Sequence, residues 1–301
     1  MTGAAPGPFT VDEARSAARA LGAARVPRHV PVALDRAHGR VLAVDVRDPT
    51  GHVVVPRGSR LGPLAVGAAA AAGADAVHVV VPPRVALLVT GDGLLAAGAS
   101  RGGRTRDVLS HVLPDLLVAL GGDLGPGEAG VASTGADGAA VLDAVAGPYR
   151  GTVDVLVTTG GTGGGAEDRL RGVLRRVRAR LVVPGVDVEP GGSALVAAVP
   201  DGPLVVGLPG RPVAAVALGL LLAGPLLGGW LGVPDAGLAE VALAGQVTAG
   251  PWPRVLPARL DVAQGRVEAR DPGAVGLAGA TGVVVVGRGG AARWVPLPVA
   301  G

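Results

Sequence analysis

Three short loops, each directly after an apolar segment, carry residue types that bind anions or metal ions. The first is Thr90, Gly91 and Asp92, the second is residues 159–165, and the third is Pro209 to Pro212. Glycines let the backbone approach a ligand closely, and free N–H groups at the start of a following helix attract anions. A carboxylate at Asp92 can hold Mg²⁺ or a hydroxyl group, and Arg211 can pair with an anion.

The second loop is the strongest candidate for a phosphate cradle. Its members are Thr159, Gly160, Gly161, Thr162, Gly163, Gly164 and Gly165. Spacing alone also allows an ordinary tight turn in a chain with 52 glycines, and an aspartate after a strand, such as Asp92, is more often a helix N-cap than a ligand-binding residue.

The elements that must position these loops alternate between strand and helix. Apolar runs predict strands at 85–89, 131–134, 153–157, 196–199 and 204–208, and helical patterns predict helices at 106–120, 137–146 and 167–178. Alternation of this kind implies a mostly parallel sheet covered by helices on both faces, with ligands at the carboxyl ends of the strands. We therefore expect an α/β domain over residues 83–233.

Two further units flank this domain. Residues 9–82 predict a small α+β unit, opened by a helix whose N-cap is Thr10 with Glu13 three residues later, the capping-box pattern. Residues 234–299 predict a β-rich domain of short strands.

Composition excludes several classes of function. The 49% hydrophobic content excludes disorder as the overall state, and the absence of cysteine excludes disulfides and thiolate catalysis. All 27 basic residues are arginine, yet the net charge is only +3. No basic block is interleaved with aromatic residues, so we expect no nucleic-acid partner.

The chain also predicts no membrane partner. Its start lacks a charged segment ahead of an apolar core, so we expect a cytoplasmic protein without a secretory signal. The apolar stretch 213–231 approaches membrane-span length but contains Pro225 and several glycines. We interpret it as a buried helix broken at Pro225.

The order of the motifs resembles the molybdopterin molybdenumtransferase family, which includes the gephyrin E domain. Residues 34–49 resemble its segment L-x-x-A-x-G-R-V-L-A-x-D-V-x-x-P, and residues 55–61 resemble its P-x-G-x-x-L turn. Residues 83–92 resemble P-R-V-x-x-x-x-T-G-D-E, the glycine loop resembles S-G-G-V-S-x-G-D-x-D, and residues 207–212 resemble G-L-P-G-N-P. Five motifs in the same order span nearly the whole chain.

This resemblance implies an enzyme that binds adenylated molybdopterin, takes molybdate and, with Mg²⁺, releases the molybdenum cofactor and AMP. It implies catalytic and Mg²⁺-binding roles for Asp92 and Asp168, and usually a homodimer. The residues that it assigns to ligand binding are Thr90, Gly91, Thr159, Gly160, Gly161, Thr162, Gly163, Gly164, Gly165, Pro209, Gly210, Arg211 and Pro212.

The chain departs from the family pattern at several positions. Gly93 and Ala166 stand where the family has acidic residues, Arg211 replaces an asparagine, and Gly192 replaces a lysine. The family's inserted lid domain is missing near residues 49–52, where Pro49 runs almost directly into Gly51. Two hypotheses follow: a shortened, divergent transferase, or a catalytically impaired paralogue that binds molybdopterin or acts as a scaffold.

Overall fold

The computed structural model describes residues 7–91, 93–125, 131–134, 151–163, 169–248, 250–273 and 277–298, and for 131–134 it describes the backbone only. Helix α1 (Val11–Ala23) begins at the predicted capping box. The Thr10 hydroxyl accepts from the Glu13 N–H at 3.3 Å, and the Glu13 carboxylate accepts from the Thr10 N–H at 2.8 Å. The prediction of this cap is therefore confirmed.

A small unit follows α1. Its elements are β1 (His29–Ala33), β2 (Val46–Arg47), β3 (Val53–Val55), α2 (Pro63–Ala71) and β4 (Ala76–Val80). Strand β1 pairs antiparallel with β4, and β2 with β3. Leu42, Leu61 and Val79 anchor a separate core there. The buried face of α1, in contrast, lies in the main core of the protein.

A tight turn joins β2 and β3 at residues 48–52, and the prediction that a lid is missing there stays a prediction. Asp48 Oδ1 accepts hydrogen bonds from the Thr50 N–H (2.9 Å), the Thr50 hydroxyl (2.6 Å) and the His52 N–H (3.0 Å). The Asp48 N–H also donates to the His52 carbonyl at 3.0 Å. The two strands are thus joined by a tight hairpin.

The central part of the chain contains both buried strands and helices. Its elements are β5 (Val85–Thr90), β6 (Leu94–Leu95), β7 (Thr105–Arg106), α3 (Leu109–Ala119), β8 (Val131–Thr134), β9 (Val155–Thr159), α4 (Arg169–Arg176), β10 (Arg180–Val183), β11 (Leu195–Ala198), β12 (Leu204–Leu208) and α5 (Pro212–Leu231). The predicted helix at 137–146 lies outside the described residues.

Six of these strands form one sheet in the order β10-β11-β12-β9-β5-β8. Strands β12, β9, β5 and β8 run parallel to one another, whereas β11 is antiparallel to both β10 and β12. Successive side chains alternate between two cores, since Val85, Leu87 and Val89 face one core and Ala86 and Leu88 the other. The predicted α/β fold with a mostly parallel sheet is confirmed.

The helix predicted at 106–120 begins later and ends earlier than expected, and the helix predicted at 167–178 ends earlier. Helix α3 starts at Leu109, and the Asp107 carboxylate accepts from the Ser110 N–H in its first turn at 3.1 Å. Helix α4 ends at Arg176 because Arg178 adopts a φ of +54°, which helical backbone does not allow.

Helix α5 is buried, as predicted, but the predicted break at Pro225 is wrong. The helix is long and apolar enough to cross a membrane by length and composition, yet 78% of its most apolar window is buried inside the protein. Residues Gly219–Ala223 form a π-helical turn in which the Gly224 N–H donates to the Gly219 carbonyl. We attribute the continuity to this wider turn, which accommodates the ring of Pro225 without ending the helix.

Helices α1 and α5 cross at two glycines. A Cβ atom on Gly22 would overlap the Leu226 carbonyl oxygen, and one on Gly229 would overlap the Arg19 carbonyl oxygen. The crossing therefore brings the two backbones into direct contact.

The chain ends in a closed five-stranded barrel. Its strands are β13 (Ala239–Leu243), β14 (Arg254–Asp261), β15 (Arg266–Ala269), β16 (Gly282–Val286) and β17 (Ala292–Pro296), in the order β13-β15-β14-β16-β17. The predicted β-rich terminal region is confirmed. Strand β15 was missed because Val267 is its one buried side chain, so it shows no apolar run.

The barrel joins the central part through backbone pairing. The Glu189 N–H donates to the Pro253 carbonyl at 2.8 Å, and the Val255 N–H donates to the Glu189 carbonyl at 2.9 Å. An Arg293–Asp12 ion pair at 2.6 Å adds a link to α1. The limits 9–82, 83–233 and 234–299 stay predictions.

Candidate ligand-binding site

The three candidate loops meet at the carboxyl edge of the central sheet. In the register, Thr159 at the end of β9 lies between Leu208 of β12 and Val89 of β5. The Gly160 N–H donates to the Leu208 carbonyl at 3.0 Å, and the Thr90 hydroxyl donates to the Thr159 carbonyl at 2.6 Å. The glycine loop is therefore tied to both strands beside it.

The described glycines of the second loop differ in whether the backbone there needs glycine. Gly160 has a φ of +79°, and a Cβ atom there would lie 2.7 Å from the Thr90 carbonyl oxygen. Gly161 has a φ of +60°. A Cβ on Gly163 would meet nothing within 4 Å. The backbone thus requires glycine at 160 and 161, while at 163 the neighbouring space is open to a ligand.

A fourth segment, residues 189–193, contacts the glycine loop. The buried Thr162 hydroxyl lies 2.9 Å from the Ser193 hydroxyl. Arg171 of α4 donates to the carbonyls of Pro184 (2.7 Å) and Ser193 (3.2 Å) and so holds this segment in place. Sequence reasoning singled out Gly192 but missed Ser193. Ser193 could have been found from the sequence as a hydroxyl residue between a Pro-Gly-Gly turn and a buried strand.

A cleft of about 550 Å³ opens beside these loops. The residues that line it are Pro8, Val186, Val188, residues 189–193, Pro209, Arg211, Ala214, Pro251 and Trp252. Arg211 is exposed, and its guanidinium has no hydrogen bond or ion pair within the part of the chain that the structure describes. Among the described residues, Arg211 is thus a cleft cation without an ion pair, and such a cation attracts anionic ligands.

Two buried hydroxyls lie at the end of β9, next to the glycine loop. Thr158 and Thr159 are each 1% exposed, and the Oγ1 atom of each has no hydrogen-bond partner among the described residues. Buried polar atoms normally have partners. This strand end therefore has unused hydrogen-bonding capacity.

The predicted residues fall into two sets. Thr90, Gly91, residues 159–163 and residues 209–212 lie at this edge of the sheet. Pro212 begins α5 at its first position, where a missing N–H costs nothing. Asp92, Gly164, Gly165 and Asp168 lie outside the described residues.

The described residues do not form a metal site. None of them belongs to a group of three or more His, Asp or Glu side chains that could hold a metal ion. Glu189 is the single carboxylate among the described residues that line the cleft. The assignment of Mg²⁺ to Asp92 and Asp168 therefore stays a prediction, and no chemical step is derived through it.

Comparison with known proteins shows which family the site resembles. Residues 86–228, which include all three loops, match the family described as "probable molybdopterin binding domain". The matched residues thus cover the central sheet and its carboxyl edge.

Curated relatives agree with this result. The molybdopterin molybdenumtransferase of Staphylococcus aureus strain COL is 31% identical over 166 residues, and that of strain Mu50 is 30% identical over the same length. The match covers 55% of this chain but only 38% of each relative. The chain therefore matches a little over one third of these relatives' length.

Solved structures extend the likeness to the whole fold. The molybdopterin biosynthesis moea protein of Pyrococcus horikosii has a TM-score of 0.75 at 18% identity, covering 98% of this chain and 100% of that one. A molybdenum cofactor biosynthesis protein of Pyrococcus furiosus has a TM-score of 0.69 at 18% identity, covering 96% and 97%. The resemblance to the molybdenumtransferase family that the motifs predict is confirmed.

Proposed function

We propose that this protein acts in molybdenum cofactor biosynthesis, binding adenylated molybdopterin at the carboxyl edge of the central sheet and inserting molybdate with release of AMP. One observation carries the proposal: the glycine loop lies next to Gly210, and Arg211, whose guanidinium has no hydrogen bond or ion pair among the described residues, lines a cleft within the stretch that matches the molybdopterin-binding family. Both molybdate and the phosphate groups of the substrate are anions that such a site attracts.

The described residues support three roles. Backbone N–H groups of residues 161–163 bind phosphate oxygens, since the Gly160 N–H is already bonded to the Leu208 carbonyl, and Gly163 leaves room for the ligand. Arg211 stabilises the negative charge that AMP gains when a water or molybdate oxygen displaces it from the molybdopterin phosphate, because its guanidinium lines the cleft and carries the opposite charge. The Thr162–Ser193 contact holds the two loops at a fixed separation.

A second function, binding without turnover, is favoured by one observation. The hairpin at Asp48 joins β2 directly to β3 where the family inserts its lid. A lid excludes water and completes a site, so its loss affects catalysis more than binding. The catalytically impaired paralogue is therefore the alternative to the transferase. We also propose a cytoplasmic homodimer, by analogy with the family, and light scattering of the purified protein checks the dimer.

An AMP-release assay separates the two functions. Purified protein is mixed with adenylated molybdopterin, Mg²⁺ and molybdate, and AMP is quantified by chromatography. The transferase predicts molybdate-dependent AMP above a protein-free control, and Arg211→Gln should reduce it at least about tenfold. Arg266→Gln, an exposed substitution in the barrel, is the matched control. No AMP above the control, together with ligand binding by calorimetry, would support the binding protein instead.

A further inference from the structure

Trp252 is an exposed aromatic side chain in a protein with very few aromatic residues. The sequence holds three tryptophans, one tyrosine and one phenylalanine. Trp294 is 7% exposed inside the barrel, whereas Trp252 is 44% exposed and lines the 550 Å³ cleft. An exposed indole forgoes the gain of burial, so its position at a cleft needs an explanation.

Neighbouring residues fix the position of this indole. The Arg288 guanidinium carbon lies 5.2 Å from the Trp252 ring centroid, which is cation–π geometry. Arg288 in turn pairs with Asp187 at 3.1 Å, and the Asp187 N–H donates to the Phe9 carbonyl at 2.7 Å. Pro253, the next residue in the chain, accepts from the Glu189 N–H. Arg288 therefore lies over one face of an indole that is 44% exposed and lines the cleft.

We propose that Trp252 stacks on the flat heterocyclic ring of a ligand whose anionic group binds at Arg211. Both side chains line the same cleft. Clefts that combine an aromatic wall with a few polar groups orient a ligand of this kind. Arg288 and Asp187 are positioning residues, since they act through the indole.

The inference rests on the proposed function for its choice of ligands. Adenylated molybdopterin carries two flat heterocycles, the adenine and the pterin, and either can stack. Their shared chemistry is a nitrogen heterocycle linked to an anionic group. The experiment therefore uses one probe for each ring: AMP, and 6-carboxypterin, which is a pterin bearing a carboxylate.

Calorimetric titration of the full chain with AMP, 6-carboxypterin and inorganic phosphate tests the inference. Trp252→Leu should weaken binding of AMP, of 6-carboxypterin or of both by roughly 5- to 150-fold, the range for one base stacked on an aromatic side chain. Loss confined to one probe assigns the stacked ring. Trp252→Phe should retain most of the affinity, and phosphate binding should stay within about twofold.

Two further variants separate stacking from a structural effect. Trp294→Phe, inside the barrel, is the matched control and should leave affinity for both probes unchanged. Arg288→Gln should weaken binding of the ring-bearing probe several-fold while leaving phosphate affinity unchanged. Arg288→Lys should restore the affinity for the ring-bearing probe, because lysine keeps the cation–π contact. Unchanged affinity of both probes for Trp252→Leu would overturn the inference, as would failure of both to bind the wild-type protein.

These outcomes are distinct from failure of the proposed function. Loss of molybdate-dependent AMP release with intact probe binding would reject the transferase and leave the stacking role standing. Normal AMP release by Trp252→Leu, with unchanged probe affinity, would reject the stacking role alone.

Discussion

The glycine loop is required for two separate reasons that the structure distinguishes residue by residue. At Gly160 the backbone has a positive φ and lies against the Thr90 carbonyl, whereas Gly163 faces open space. The sequence could predict a cradle from the glycines that follow a buried strand. It could not divide them by role, because the division depends on how β5 and β9 lie side by side.

Stability measurements on two alanine variants test this division. Gly160→Ala should lower the free energy of unfolding by at least about 1 kcal/mol, because an L-residue is strained at this φ and its Cβ would contact Thr90. Gly163→Ala should match the wild-type protein within about 0.5 kcal/mol. Urea denaturation provides both values, and equal effects at the two positions would contradict the assignment.

The same pair makes a separate prediction about ligand binding. Gly163→Ala adds a methyl group where the ligand is proposed to lie, so it should weaken binding of adenylated molybdopterin while stability stays unchanged. Calorimetry on the folded variant measures this. Unaltered affinity would show that Gly163 lies away from the ligand.

Asp48 makes the hairpin at the lid position sensitive to acid. Hydrogen bonding, first of all from the Thr50 hydroxyl, lowers the pKa of the Asp48 carboxyl below its usual value of 3.8. A lowered folded-state pKa gives stability that is fully present above 3.8 and is lost as the pH falls through the folded-state value. Asp48→Ala should therefore be less stable than wild type at pH 7.

A pH series checks the sign of this effect. The stability difference between wild type and Asp48→Ala should stay constant from pH 7 down to about 5 and shrink as the pH falls below 3.8. A difference that grows on acidification would contradict the assigned cause.

Among the secondary-structure elements, helices α1 and α5 can cross closely only because glycines stand at the contact, where there is no room for a side chain. Gly22→Ala or Gly229→Ala should destabilise the protein by about 1–3 kcal/mol, since each Cβ would meet a carbonyl of the facing helix. Gly228→Ala is the matched control. Its Cβ would lie 3.5 Å from the flexible end of Arg19, so better helix propensity should leave stability equal or raise it by up to about 1 kcal/mol.

Thermal or urea denaturation of the three variants gives the test. A loss at Gly228→Ala as large as that at Gly22→Ala would show that helix packing at this crossing is looser than described.

Local pattern predicted some elements and missed others for identifiable reasons. The buried strands β5, β9 and β12 were predictable because each is a continuous apolar run bounded by loop residues. The course of α5 past Pro225 was not, because a π-helical turn that accommodates a proline leaves no mark in the hydrophobic pattern. Strand β15 was hidden because it carries one buried residue.

At the scale of the whole molecule, the cleft exists because the barrel docks onto the central part. Backbone pairing between Glu189 and Val255 brings Pro251 and Trp252 to the same cleft as Arg211. The sequence placed Thr90, Gly160 and Arg211 at one edge because parallel strands end together. The sequence did not predict that Trp252 and Ser193 lie near this edge, since contacts between distant segments depend on the complete fold.

Calorimetric titration with adenylated molybdopterin tests whether this cleft binds that compound. The wild-type protein and Arg266→Gln should bind it equally, and Arg211→Gln should bind it about tenfold more weakly because a charge-assisted contact is lost. Absence of binding by the wild-type protein, or equal affinity of Arg211→Gln and wild type, would contradict binding of the compound in this cleft.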